Sequence, residues 1–80
     1  MFMENREEYI KGIIIPVEWD NEGLVLRTGI TTFDEDLLVI EDNDFGRLLN
    51  NRLREIVTVR GKISIHEGVK QVNVNEIIPQ

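Results

Sequence analysis

The sequence predicts a small all-β protein: a five-stranded barrel with one helix between the third and fourth strands. Apolar and polar residues alternate through most of the chain, which is the period of strands with one buried face. Between residues 45 and 56 the apolar spacing changes to that of a helix. Gly12 and Gly61 stand in core-facing rows, where a missing side chain lets a strand coil tightly or lets another strand cross close by, as the closure of a small barrel requires.

The first half of the chain predicts three strands joined by polar turns. The first is rich in β-branched and aromatic residues, and Pro16 places an edge or a bend in it because its nitrogen has no hydrogen to donate. Gly29 predicts a bulge or sharp bend in the second. The predicted strands are residues 9–19, 24–33 and 37–41, with turns at residues 20–23 and 34–36.

A helix of about three turns is predicted next, from apolar residues at helical spacing. Asp42 or Asp44 would accept hydrogen bonds from the free backbone N–H groups at its start. The positive charges of Arg52 and Arg54 would interact favourably with the negative C-terminal end of the helix dipole. The predicted apolar face consists of Phe45, Leu48, Leu49, Leu53 and Ile56.

The last third predicts a hairpin of strands 56–66 and 69–78, joined by a two-residue turn at Glu67-Gly68. This register separates an inward row from a polar outward row. The inward pairs are Ile63 with Val72, Gly61 with Val74 and Val57 with Ile78, and the outward row of the fourth strand is Thr58, Arg60, Lys62, Ser64 and His66.

Short motifs in three strands carry a family resemblance. They are Ile10-Lys11-Gly12 with Ile14 in the first strand, Val57, Val59, Gly61 and Ile63 in the fourth, and Val72, Val74, Glu76 and Ile77 in the fifth. Over residues 9–78 the pattern resembles the OB fold, a five-stranded Greek-key barrel. It is similar to small stand-alone bacterial OB proteins of unassigned function, to anticodon-binding OB domains and to the N-terminal OB domain of the exodeoxyribonuclease VII large subunit. The resemblance implies binding of oligonucleotides and carries no catalytic group.

Length and composition limit the alternatives. Eighty residues suffice for one domain, predicted at residues 9–80 after a flexible N-terminal segment of residues 1–8. No run of 18 apolar residues and no secretory signal is visible, so we expect no membrane partner and a cytoplasmic location. With no cysteine and one histidine, neither a disulfide nor an ordinary zinc site is expected.

Neither catalysis nor a cofactor is expected. Ser64 and His66 share a strand face, but no third residue is placed to orient the imidazole. The acidic residues around 34–36 and 41–44 fit turns and helix capping, because aligning Gly46 with the glycine of a calcium loop puts Phe45 at a ligand position. No phosphate-binding or dinucleotide-binding motif appears.

The first functional hypothesis is a module that binds single-stranded DNA or RNA. The net charge of −6 disfavours tight non-specific binding, because neutralised phosphates supply most of that affinity. The hypothesis depends on the resemblance and on the basic outer face of the fourth and fifth strands. The charge is uneven, since residues 1–46 hold 3 Lys/Arg and 12 Asp/Glu while residues 47–80 hold 6 and 3. This asymmetry indicates either two surfaces with different partners or, as we favour, acids clustered in loops and bases along a helix. The candidate nucleic-acid-binding residues are Trp19, Arg27, Arg60, Lys62, His66 and Lys70.

The aromatic residues leave two interpretations open. Trp19, Tyr9 and Phe33, with Lys11 and Arg27, would form a stacking platform flanked by cations. Alternatively, Tyr9 and Phe33 belong to the core and only Trp19 is partly exposed.

The second hypothesis is a protein-interaction or self-associating module. The first strand is apolar on both faces, with a strip at Ile13, Ile15 and Val17 opposite Ile10 and Ile14. Either this long strand joins both sides of the barrel and is buried on both faces, or the strip pairs with a partner or a second copy.

Overall fold

The computed structural model describes residues 7–79 and confirms the all-β barrel with one helix. The elements are β1 Glu7–Trp19, β2 Val25–Thr32, β3 Leu37–Ile40, α1 Asp44–Leu49, β4 Ile56–His66 and β5 Val69–Ile78. The strands close in the order β1-β2-β3-β5-β4, and the helix lies between β3 and β4, an arrangement compatible with the OB fold.

The N-terminal segment predicted at residues 1–8 is described only in part. Residues 1–6 lie outside the described residues, whereas Glu7 and Glu8 already form the start of β1. There they pair with Lys62 and Gly61 of β4.

The long strand β1 joins both sides of the barrel. It pairs with β4 through residues 7–13 and with β2 through residues 12–19. Ile14 lies opposite Ile30, and Ile30 lies opposite Leu38, so three strands contribute one inward row. Buried branched side chains of this kind fill the core: Ile10, Ile14, Ile30, Leu38, Ile40, Leu49, Val57, Val59, Val72 and Val74.

The β4–β5 hairpin confirms the predicted turn. Glu67 and Gly68 have φ of 53° and 80°. Positive φ at both central residues is what a two-residue type I′ hairpin turn requires. The pairs nearest the turn keep the predicted register, including Ile63 with Val72 and Gly61 with Val74.

Beyond Gly61 the predicted register is wrong by one residue. Gly61 pairs with Val74 and Arg60 with Glu76, so Asn75 is the extra residue of a β-bulge. Ile78 therefore pairs with Thr58, whereas the prediction placed it opposite Val57.

The helix is shorter than predicted and covers only Asp44–Leu49. The chain turns after it, and the N–H of Arg54 donates to the carbonyl oxygen of Ile14 at 2.7 Å. The chain therefore already lies against β1 at Arg54, and β4 begins two residues later at Ile56. The segment between α1 and β4 is thus too short for a third helical turn. Leu53 still packs against the core, but Arg52 and Arg54 lie beyond the helix.

The helix cap also differs from the prediction. Asn43, and neither Asp42 nor Asp44, accepts the N–H of Gly46, at 2.7 Å. The two aspartates instead accept hydrogen bonds from the guanidinium of Arg47, and these bonds, to Asp44 first and to Asp42 second, raise its pKa. An amide fits this position because it can accept from α1 and donate to β5 at the same time.

Gly61 occupies the close approach predicted for it. A Cβ there would lie 2.5 Å from the carbonyl oxygen of Asn73, and one at Gly12 would collide with the carbonyl oxygen of Thr31. Gly29 does not form the predicted bulge, because it pairs regularly with Ile15 and Val39. The irregularity lies in β1 directly after Pro16.

Candidate functional site

A cleft of about 460 Å³ opens at the end of the barrel away from α1. It forms because β2 pairs with β1 only from Gly12 onward, so residues 8–11 separate from the β2–β3 turn. The core side chains Ile10 and Leu38, with the half-buried Ile63, line it from below. Among residues 7–79, the cleft is therefore the end of the hydrophobic core that no element covers.

Two exposed aromatic side chains line this cleft. Tyr9 is 69% exposed and Phe33 is 66% exposed, so the interpretation that both belong to the core is wrong. Tyr9 faces outward because its neighbour Ile10 takes the inward position on β1.

The position of Phe33 follows from the turn that begins after β2. The N–H of Thr32 donates to the carbonyl oxygen of Asp36 at 2.9 Å, and Glu35 has a φ of 65°. This tight closure leaves Phe33 as the first residue of the turn, beyond the last inward-facing position of β2.

The charges around the cleft are mixed. Lys11 and Lys70 line it together with Glu8, Asp34 and Asp36. The Nζ of Lys70 lies 2.7 Å from Oδ2 of Asp36, so this lysine is largely neutralised. Glu8 and Asp34, by contrast, form no ion pair with any residue in the described range 7–79. The rim consequently carries more acceptor oxygens than cations.

Three of the predicted nucleic-acid-binding residues lie on the outward row of β4, as the alternation requires. Arg60 is held by an ion pair between its Nε and Oε1 of Glu76, at 3.1 Å. Lys62 is exposed and lies opposite Asn73, and His66 is exposed at the end of the strand beside the turn. Arg60 is also the direct neighbour of Tyr9 on β1.

The remaining three predicted residues are spread over the barrel. Lys70 lines the cleft. Trp19 is 53% exposed but lies ten residues after Tyr9 at the far end of β1, paired with Val25. Arg27 is half-buried near α1, where its Nη2 donates to the carbonyl oxygen of Ile40 at 3.4 Å. Of the five residues of the predicted stacking platform, the cleft brings together Tyr9, Phe33 and Lys11 and leaves out Trp19 and Arg27.

Sequence reasoning did not identify the acidic rim or the apolar floor as parts of a site. Alternation was a usable signal for Phe33, since this residue lies three positions after the inward-facing Ile30 and therefore on the outward face. No comparable signal marks Ile63 or Leu38, which look like ordinary core residues.

The predicted strip of Ile13, Ile15 and Val17 lies on the outer face of the barrel and is half-buried. Across the sheet, the neighbours of Ile13 are Thr31 and then Leu37, and those of Ile15 are Gly29 and then Val39. Val17 and Leu37 converge above Gly29, since a Cβ there would lie 3.1 Å from Cγ1 of Val17 and 2.9 Å from Cδ1 of Leu37. The strip thus continues into an outer apolar patch of Ile13, Ile15, Val17, Leu37 and Val39.

Other kinds of site find no support in the described part of the chain. Within residues 7–79, no three His, Asp or Glu side chains gather closely enough to hold a metal ion. Nor does any helix in that range have the length and apolar character needed to cross a membrane.

Comparison of the chain with family models, with curated proteins and with solved structures finds no match. Its function is therefore inferred from its own surface.

Proposed function

We propose that this chain is a small non-catalytic OB-fold module that binds single-stranded DNA or RNA in the cleft. The observation that carries the proposal is the pair of exposed aromatics, Tyr9 and Phe33, on one cleft with Lys11. Every base has a π-face, and proteins that bind single strands combine such aromatic platforms with nearby cations. The order of strands, which is compatible with the OB fold, adds support.

The energetics favour stacking over charge as the source of affinity. Stacking of one base on an aromatic side chain contributes about 1–3 kcal/mol. The electrostatic contribution is small, because Lys70 is paired with Asp36 and Arg60 with Glu76. Lys11 and Lys62 are the cations nearest Tyr9 that have no ion pair within residues 7–79. We expect weak binding with a shallow salt dependence, since about two phosphates would be neutralised.

The proposal is tested with a dye-labelled single-stranded oligonucleotide and fluorescence anisotropy at low salt. Tyr9→Ala and Phe33→Ala should each weaken binding about tenfold, as expected when one stacked base is lost. Trp19→Ala is the matched control, because it removes an exposed aromatic that lies outside the cleft. Absence of binding by the wild type, or an equal loss in all three variants, would contradict the proposal. Because Trp19 lies outside the cleft, its intrinsic fluorescence is a poor reporter of binding there.

A second candidate function is favoured by the outer apolar patch. Five apolar side chains on one outward sheet face are typical of a surface that contacts protein, and a second copy of the chain is the simplest partner. Sedimentation of the wild type at high concentration should then show self-association, and Ile15→Lys should abolish it. Lys62→Glu is a control on the other side of the barrel. A wild type that stays monomeric would show that the patch only packs within the chain. A cytoplasmic location remains a prediction in either case.

A further inference from the structure

The cleft carries an acidic rim that the proposed binding of a single strand does not by itself explain. Glu8 and Asp34 are exposed, line the cleft and are adjacent in sequence to the two aromatics, Tyr9 and Phe33. Carboxylates repel phosphate, so a cleft that served only the phosphate backbone would not place them beside its stacking surfaces. They line the same cleft as the two rings, so we place them at the edge of a base stacked there.

Ionised carboxylates accept hydrogen bonds and donate none. Cytosine offers an amino group at position 4, where thymine and uracil carry a carbonyl oxygen that would repel a carboxylate. Adenine likewise presents an amino group. An acidic rim around a stacked base therefore favours bases with an exocyclic amino group and disfavours uracil and thymine.

We infer that the cleft selects amino-bearing bases over uracil and thymine, with Glu8 and Asp34 as the residues that read the base edge. This selectivity rests on the proposed function of the same cleft. Asp36 contributes less, because its Oδ2 is held by Lys70 at 2.7 Å. Lys11, on the same strand as Glu8, is placed to neutralise a phosphate of the bound strand. Along β1, Lys11 would thus contact the nucleic-acid backbone and Glu8 the base.

The decisive comparison uses oligo-cytidine and oligo-uridine RNA of equal length near pH 7.5. The two share the backbone and ring size and differ only at positions 3 and 4 of the base, so the protein repels the charges of both backbones equally. We expect oligo-cytidine to bind about tenfold more tightly, in the range that one well-made base contact gives. For DNA, oligo-deoxycytidine should likewise bind more tightly than oligo-thymidine.

The variants Glu8→Gln and Asp34→Asn remove a negative charge and give the side chain both a donor and an acceptor. Both should raise the affinity for oligo-uridine and reduce the ratio between the two ligands to about threefold or less. Glu22→Gln is the matched control, since it makes the same change at an exposed position in the β1–β2 turn, outside the cleft. It should leave the ratio unchanged.

The outcomes separate the two claims. If neither homopolymer binds to the wild type, the proposed function fails. If both bind with equal affinity, nucleic-acid binding stands and the selectivity is overturned. A preference for cytidine that survives both Glu8→Gln and Asp34→Asn would also overturn the inference, because the preference would then not come from these carboxylates.

Discussion

The two ends of the barrel are built from the same strands but are completed differently. At one end α1 and the turn after it cover the core, with Leu49 fully buried. Asn43 fastens that helix to β5, since its Nδ2 donates to the carbonyl oxygen of Val74 at 3.0 Å. At the other end no element within residues 7–79 covers the core, and Ile63 lies under a cleft with exposed aromatic and charged sides.

This difference indicates a division of roles along the barrel axis. Leu49 and Asn43, which close the helix end, are buried or hydrogen-bonded, so their substitution should change the free energy of unfolding. The aromatic and charged side chains at the rim of the cleft are exposed, so their substitution should change binding and leave stability nearly intact. Surface aromatics that contribute little to the fold are candidates for contact with a partner.

The largest effect is expected for Leu49→Ala at the helix end. Removing a fully buried leucine should lower the free energy of unfolding by about 3 kcal/mol. Phe33→Ala at the cleft end removes a larger side chain that is 66% exposed, and should cost less than about 0.5 kcal/mol. Urea denaturation followed by circular dichroism measures both. Equal losses would show that the cleft end also holds the fold together.

Between the two ends, a substitution of Gly61 in β4 should also lower the free energy of unfolding strongly. Gly61→Val places a Cβ against the carbonyl oxygen of Asn73 and Cγ2 of Val72, and the backbone oxygen cannot move without distorting β5. We expect a loss of about 2–3 kcal/mol in the same denaturation experiment. Ser64→Val, at an exposed outward position of the same strand, is the control and should be nearly neutral. An unchanged stability of Gly61→Val would refute the role of Gly61 as a close-approach position.

A smaller effect is expected for Asn43→Ala. The variant loses the helix cap to Gly46 and the hydrogen bonds to Val74 and Asn73, which should cost about 1–2 kcal/mol. Asn51→Ala changes an exposed asparagine just after α1 and should cost less than about 0.5 kcal/mol. Thermal unfolding of the pair separates them, and a control as unstable as Asn43→Ala would contradict the assigned role.

The smallest effect on stability is expected for Lys70→Gln at the cleft end. Its ion pair with Asp36 is exposed to solvent, and such pairs contribute about 0–1 kcal/mol. The variant leaves the carboxylate of Asp36 unpaired in the cleft, where it would repel phosphate. The loss in free energy of binding to a single strand should therefore exceed the loss in free energy of unfolding. A loss of stability comparable to that of Asn43→Ala would mean that the β2–β3 turn depends on this pair.

The five strands could be predicted because their signals are local: alternation, turn residues and two glycines in core-facing rows. The helix end could not be placed from apolar spacing, because Leu53 packs against the core without being helical. The contact that ends the helical run joins Arg54 to Ile14, which are far apart in sequence.

The bulge and the cleft lay beyond sequence reasoning for a similar reason. Nothing local distinguishes Asn75 from its neighbours as the extra residue, and the shift appears only when β4 must pair with both β1 and β5. The grouping of Tyr9 with Phe33 depends on where β2 stops pairing with β1. Exposed aromatics were predicted as one of two alternatives, but which of them share a surface is a property of the closed barrel.

The barrel closes through its shortest seam. β3 and β5 pair through only Val39 with Gln71 and Ile40 with Val72, next to the N–H of Glu41, which donates to the carbonyl oxygen of Val72. These partners are 32 residues apart in sequence, so the contact closes a long loop for little gain and should form late in folding. By the same reasoning it is the first seam to open in the native state. In hydrogen exchange, the amide of Glu41 should then lose protection well before the amides that join β4 to β5.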